Sequence, residues 1–396
     1  MSSPDVALRE TATETDPVVT HEAKGETYTL RRYRPEDRQP FFDLHDAIGM
    51  IPHDGGTEWF DWKFVDNPYL AHTPLFVAER EDTGEIVGVR PFMAFRLRAG
   101  PRTAIGLQTA DTGVHPDHRS RGLFSRMNEL AFEYYRQREP EVMFSIPNDL
   151  SRPGYLKGGA KTVSPIRSHF RIESPSQFID QKLGSWVPSQ TGSVLDGLAS
   201  GYLGFRDRRH NGDSSKRITV DRHATIPSET LAALGTSHVP SEIHAVRDRR
   251  FYDWRFENPN WEYDAFVANR DGDPFAAMVA GTREHGGRVL TRIVDAVPLS
   301  GEDRLPGFAA ILSRLLEVHR DSDVFAFAGT GVPSKLLRQF GFQPNDELPL
   351  SPVSNQTILI TMPLQRTNTE NEWMIEGRDV TDPTNWQLPF CEQNTA

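Results

Sequence analysis

The sequence has one cysteine, Cys391, in 396 residues. That excludes an intramolecular disulfide and any cysteine-based zinc site, and a nucleophilic role at a tail end is a poor fit. Lysine is scarce too: only seven of the 44 basic residues are lysine, and 55 acidic residues set the net charge at -11. So acidic a chain is a poor partner for nucleic acid or an anionic membrane. No apolar run approaches the length of a membrane span, and no basic segment followed by an apolar one opens the chain, so the expected location is the cytoplasm. Thirteen histidines are scattered. Neither His115 with His118 nor His45 with His53 has carboxylate or cysteine neighbours at metal-site spacing, so no metal is expected.

What is present is a repeat. Trp59-Phe60-Asp61-Trp62-Lys63-Phe64-Val65-Asp66-Asn67-Pro68 returns as Phe251-Tyr252-Asp253-Trp254-Arg255-Phe256-Glu257-Asn258-Pro259. Each copy leads into an apolar strand-like run, Leu75–Ala78 and Ala265–Ala268, and each ends at a glycine after a short helix. This predicts duplication of a whole domain. Because a half with no anion-binding turn carries the element too, its aromatics are expected to be architectural, with Asn-Pro ending the helix. At this length the chain buries two cores. The predicted organisation is a disordered tail over 1–24, a first domain over 25–170, a connecting segment over 171–222 with a helix near Val194 to Phe205, a second domain over 223–364, and a tail over 365–396 in which Trp373, Trp386 and Phe390 dock on the body.

The stretch Gly113 to Phe124, GVHPDHRSRGLF, carries the chemistry. A strand from Ala104 to Val114 stops at Pro116, which lacks an amide donor. Downstream, Leu123, Met127, Leu130, Ala131 and Tyr134 recur at helical spacing, which starts an amphipathic helix near Gly122 or Leu123. Its first amides have no intrahelical partner, Arg119 and Arg121 add charge, and Gly122 permits close backbone approach, so a pyrophosphate is the natural ligand. Next come a buried strand, Glu141 to Pro147, a turn from Asn148 with Pro153 in the first turn of a short helix, and then Tyr155-Leu156-Lys157-Gly158-Gly159-Ala160.

In these two segments the chain resembles the GCN5-related N-acetyltransferase (GNAT) superfamily. Arg119-Ser120-Arg121-Gly122-Leu123-Phe124 fits the family's acetyl-CoA loop after Val114-His115-Pro116, with Phe124 where the family prefers Gly or Ala. Asn148, Tyr155, Lys157 and Gly159 match its second motif, with Ala160 in place of Phe. The resemblance implies a mixed α/β fold of two tandem domains, each a mixed, mostly antiparallel twisted sheet flanked by helices. It also implies acetyl-CoA as acyl donor, held by Thr112, Gly113, Val114, the loop from Arg119 to Phe124, and Asn148. Acyl transfer to an amine then needs amide donors for the oxyanion, a proton source for the thiolate and a base. Tyr155 is the candidate acid, and Asp111 the candidate base, directly or through water, while Gln108 could only orient. The second copy has an acidic turn, Asp295 to Gly307, without the Arg-x-x-Gly spacing, and Leu337 stands in the place of Tyr155. It is expected to have lost the donor site.

The predicted activity is an acetyl-CoA-dependent N-acetyltransferase acting by direct attack of a primary amine. Two alternatives stay open: a non-catalytic acyl-CoA-binding scaffold, and a Fem-like aminoacyltransferase using charged tRNA, which the acidic charge disfavours. The acidic, lysine-poor composition resembles haloarchaeal proteins, although high genomic GC would also favour arginine. A monomer is compatible with a tandem chain, which can satisfy internally the interface that single-domain relatives make between subunits.

Overall fold

The computed structural model describes residues 17–50, 56–136, 138–173, 218–352, 354, 357–365 and 372–394. The expected helix near Val194 to Phe205 lies outside these residues. The strands, in chain order, are β1 Val19–Ala23, β2 Glu26–Arg32, β3 Leu75–Arg80, β4 Ile86–Ala99, β5 Arg102–Thr109, β6 Gly113–Val114, β7 Pro140–Ser145, β8 Lys161–Ile166, β9 Ser168–Ile172, β10 Ile218–His223, β11 His244–Ala245, β12 Glu262–Arg270, β13 Asp273–His285, β14 Arg288–Val297, β15 Val324–Ala328, β16 Gln343–Pro344 and β17 Thr357–Pro363. The helices are α1 Arg38–Ala47, α2 Gly56–Phe60, α3 Leu123–Tyr135, α4 Arg152–Lys157, α5 Ser228–Ser237, α6 Arg249–Arg255, α7 Leu305–Val318 and α8 Ser334–Gln339. Among the described residues no helix is long and apolar enough to cross a membrane.

Two sheets result. The first runs β1-β2-β3-β4-β5-β7-β17-β8, with β6 and β11 also on β4, and the second runs β10-β12-β13-β14-β15-β9-β16. Each has one parallel pair, β5 with β7 and β14 with β15, among antiparallel ones. From β2 onward the orders correspond position by position, which is the duplication read in the sequence. The expected mixed, mostly antiparallel sheets flanked by helices are what is found.

The units are not consecutive blocks of chain, however. Strand β9 leaves the first half and pairs with β15 and β16 of the second sheet, while β17, beyond the second half, sits between β7 and β8 of the first. Each sheet completes itself with a strand from the other's stretch of sequence, so boundaries at 170 and 364 miss a reciprocal exchange. Val19 to Ala23, expected in a disordered tail, instead pair with β2 as an edge strand.

The repeated aromatic element forms the contact between the halves. The indoles of Trp62 and Trp254 stack with centroids 6.2 Å apart, and each Nε1–H donates to the other residue's carbonyl at 2.8 Å. The two copies thus meet as near-equivalent halves of one interface. Asn67 caps the turn below by donating to Ala94 O, and its Oδ1 accepts from the Tyr69 amide. The architectural role holds, with the tryptophans packing between the two copies.

The tail from Trp386 to Asn394 is threaded against both halves. Trp386 and Phe390 are buried, and Trp373 is packed at the core's edge. The basic residue of each copy grips the tail backbone: Lys63 Nζ donates to Asn394 O at 2.9 Å, and Arg255 donates to Cys391 O and Gln393 O at 2.7 and 3.0 Å.

Candidate active site

The site begins where β5 stops pairing. Up to Gln108, β5 and β7 run side by side, with Gln108 opposite Phe144. Thr109 and Ser145 still touch through their hydroxyls. Beyond them the chain kinks at Asp111, whose φ of 33° is strained for a non-glycine residue, and resumes as β6 against Gly88 and Val89 of β4. The two strands therefore part, one lip made by Ala110 to Val114 and the other by the segment after Ser145. The wedge opens where the sequence places Thr112, Gly113 and Val114.

On the first lip the loop turns into α3. Ser120 and Gly122 both have positive φ, 57° and 81°, and Gly122 is the N-cap without any side-chain cap. The leading amides of a thirteen-residue helix thus have no side-chain cap. His21 from β1 fixes the loop by bonding Arg121 O at 2.7 Å. The two arginines differ from the expected pair of free charges. Arg121 is ion-paired with Glu26 at 3.0 Å and also donates to Asp117 O, because β2 lies beside the loop. Its charge is compensated, and it braces the turn. Arg119 is exposed, and its Nε donates to Val114 O at 3.1 Å.

On the second lip, Asn148 Oδ1 accepts from the amides of Leu150 and Ser151, at 3.1 and 2.9 Å. That oxygen is committed to the turn into α4. Tyr155, on α4, is buried and stands edge-on to Phe124 with centroids 5.3 Å apart. Phe124, the large residue where the family has Gly or Ala, fits because Gly154 faces it: a Cβ on Gly154 would come within 2.6 Å of the Phe124 ring. Leu123, the first helical residue, is buried.

Asp111 lies at the kink, its carboxylate 2.7 Å from the buried Lys63 ammonium. Burial pushes the Lys63 pKa down, and Asp111 opposes that shift. His45 Nε2 bonds Asp111 O at 2.9 Å, and burial lowers its pKa. Gln108 does not face the wedge: it donates to Glu392 O of the tail at 2.9 Å. Lys63, His45 and the tail were beyond a local reading of the sequence, since each comes from a distant segment.

Glu392 anchors the tail below the site. It is fully buried, 2.7 Å from Arg247, which also pairs with Asp295 at 3.0 Å. One guanidinium thus serves two carboxylates, and burial pushes Glu392 up to about 7 from the ordinary 4.5. The folded chain then holds a proton that the unfolded chain has released, so this contribution to stability is full below pH 4.5 and is lost as pH rises through about 7. Urea unfolding is expected to show wild type losing up to about 3 kcal/mol more than Glu392→Gln between pH 5 and 8. Parallel pH profiles for the two proteins would contradict it.

Residues 29–163 match the family model described as "Acetyltransferase (GNAT) domain". That match spans about a third of the chain, and the chain as a whole has the tandem GNAT fold. It superposes on a GCN5-related N-acetyltransferase from Anabaena variabilis with a TM-score of 0.58 at 10% identity, over 91% of this chain and 81% of that one. A tandem GNAT protein from the clavulanic acid biosynthesis pathway gives 0.50 at 13% identity, over 89% and 99%. N-myristoyltransferase from Saccharomyces cerevisiae gives 0.53 at 12% identity, over 84% and 79%. At these identities the likeness is one of fold. No curated protein matches the sequence. Acyl transfer from CoA is the activity that the GNAT fold serves in general.

Proposed function

We propose that this protein transfers an acetyl group from acetyl-CoA to a primary amine by direct attack, with the donor held in the first unit. The observation that carries this is the wedge between β6 and β7, flanked by an uncapped helix N-terminus on one lip and Tyr155 on the other. The amides leading α3 receive the pyrophosphate, with Arg119 beside them, and amides from Thr112 to Val114 polarise the thioester carbonyl. Tyr155 supplies the proton that leaves with sulfur. Asp111 takes the amine proton, directly or through water, with Lys63 setting its orientation.

The second unit is proposed to have lost the donor site. Helix α7 opens with Pro306 behind Glu302 and Asp303, carboxylates that repel a pyrophosphate. Leu337, in the place of Tyr155, is buried and has no proton to give. We place the protein in the cytoplasm, as a CoA enzyme.

Steady-state kinetics on an amine panel test the assignment. Tyr155→Phe is expected to lower kcat about 10²- to 10³-fold with little change in KM for acetyl-CoA. Acetyl-CoA binding with no turnover of any amine would favour the scaffold alternative.

A further inference from the structure

Arg90, on β4, is fully buried, and among the described residues no carboxylate pairs with it. Arg247, buried as deeply, has two. The Arg90 side chain is nonetheless held firmly. Its Nε donates to Asn128 Oδ1 on α3, and its Nη1 donates to Pro91 O at 3.0 Å and Thr112 Oγ1 at 3.2 Å. The guanidinium carbon lies 4.1 Å from the Phe92 ring centroid and 5.3 Å from that of Tyr155. The titratable groups around it are the hydroxyls of Tyr155 on α4 and Tyr135 on α3, and burial lowers its pKa. Nη2 is buried with no partner at all.

An uncompensated buried cation is costly unless an anion joins it. The position says where that anion arrives. Arg90 bonds Thr112 on one lip of the wedge and faces the ring of Tyr155 on the other, so its guanidinium links the two. The donor inventory says what kind of anion it is. Nε and Nη1 are spent, leaving the hydrogens of one nitrogen. A carboxylate is best met by two nitrogens side by side, whereas a single nitrogen suits a charge centred on one atom.

We propose that Arg90 is a catalytic residue whose Nη2 holds the CoA sulfur as it departs. Its role rests on the acyl-CoA site proposed above. The amine nitrogen forms the C–N bond, the C–S bond breaks with its electron pair on sulfur, and the amine proton passes to Asp111 or water. The thiolate stays paired with Arg90 until Tyr155 delivers a proton, and the products are the amide and CoA thiol. A fixed cation at the leaving atom requires no reorganisation as charge develops there.

The test compares CoA with desulfo-CoA, which lacks the sulfur, by calorimetry from pH 6 to 9. For wild type the two are expected to bind alike at pH 6, with CoA about tenfold tighter at pH 9, as a thiol whose ionised form is favoured requires. In Arg90→Met that preference disappears while desulfo-CoA binds as before. Its kcat falls about 10²-fold, and Arg90→Lys recovers part of the loss. No pH-dependent preference in wild type overturns the proposal even if the variants fail to fold. A preference unchanged in Arg90→Met overturns it as well. Selective loss of succinyl-CoA binding in Arg90→Met, with no thiol effect, assigns the anion to an acyl carboxylate and overturns the sulfur role. Failure of wild type to bind either nucleotide removes the donor site itself, a distinct result.

Discussion

Replacing Gly122 by glutamate is expected to abolish binding of acetyl-CoA and CoA while leaving the fold in place. Gly122 sits at φ 81°, so any side chain there costs about 1 kcal/mol in backbone strain. Space is not the obstacle, since an added Cβ would come no closer than 3.6 Å to His21. What changes is charge: a carboxylate would stand at the positive end of α3, where the pyrophosphate is proposed to sit, and would occupy the open amides as a cap. Calorimetry should show at least a 10²-fold loss of affinity for Gly122→Glu and a much smaller one for Gly122→Ala. Equal affinity of Gly122→Glu and wild type would move the donor site elsewhere.

Cutting the chain after residue 167 is expected to yield a fragment with no cooperative unfolding transition. Among the described residues β8 pairs only with β17, and β17 also covers β7, so the fragment loses both ladders at once. Val142, Met143 and Phe144, buried in the intact protein, and the Trp62 face become exposed. Far-UV circular dichroism during urea titration reads the loss, and co-expression with residues 168–394 is expected to restore a single transition. A fragment that unfolds cooperatively by itself would show that the exchanged strand is dispensable.

The local elements were legible in the sequence. Helix α3 starts at Leu123 because its apolar spacing begins there. The kink was not: Ala104 to Val114 reads as one strand, yet the ladder on β7 stops near Thr109 and the chain resumes at Gly113 against β4. The duplication was legible as well, since Trp62 and Trp254 sit in matching strings. Strand exchange was not. Thr357 to Pro363 reads as a buried strand whichever sheet receives it, and side-chain alternation says nothing about the partner. Arg121 looked like a phosphate ligand because Glu26, its partner, is far away in the chain. Arg90 was a missed signal of another kind: a charged residue within the apolar run Ile86 to Ala94, where a solvated side chain has no room.

The reciprocal exchange also bears on synthesis. A ribosome delivers β1 to β8 long before β17, so the first sheet stays unfinished, with β7 uncovered and β8 unpaired, until β17 has emerged. The usual order, in which an N-terminal domain matures first, is closed to this chain. Nascent molecules therefore carry a sticky, half-built edge through most of translation. Holding that edge apart from neighbouring chains is a task for the cell's chaperones, in proportion to how slowly the stretch between β8 and β17 is made.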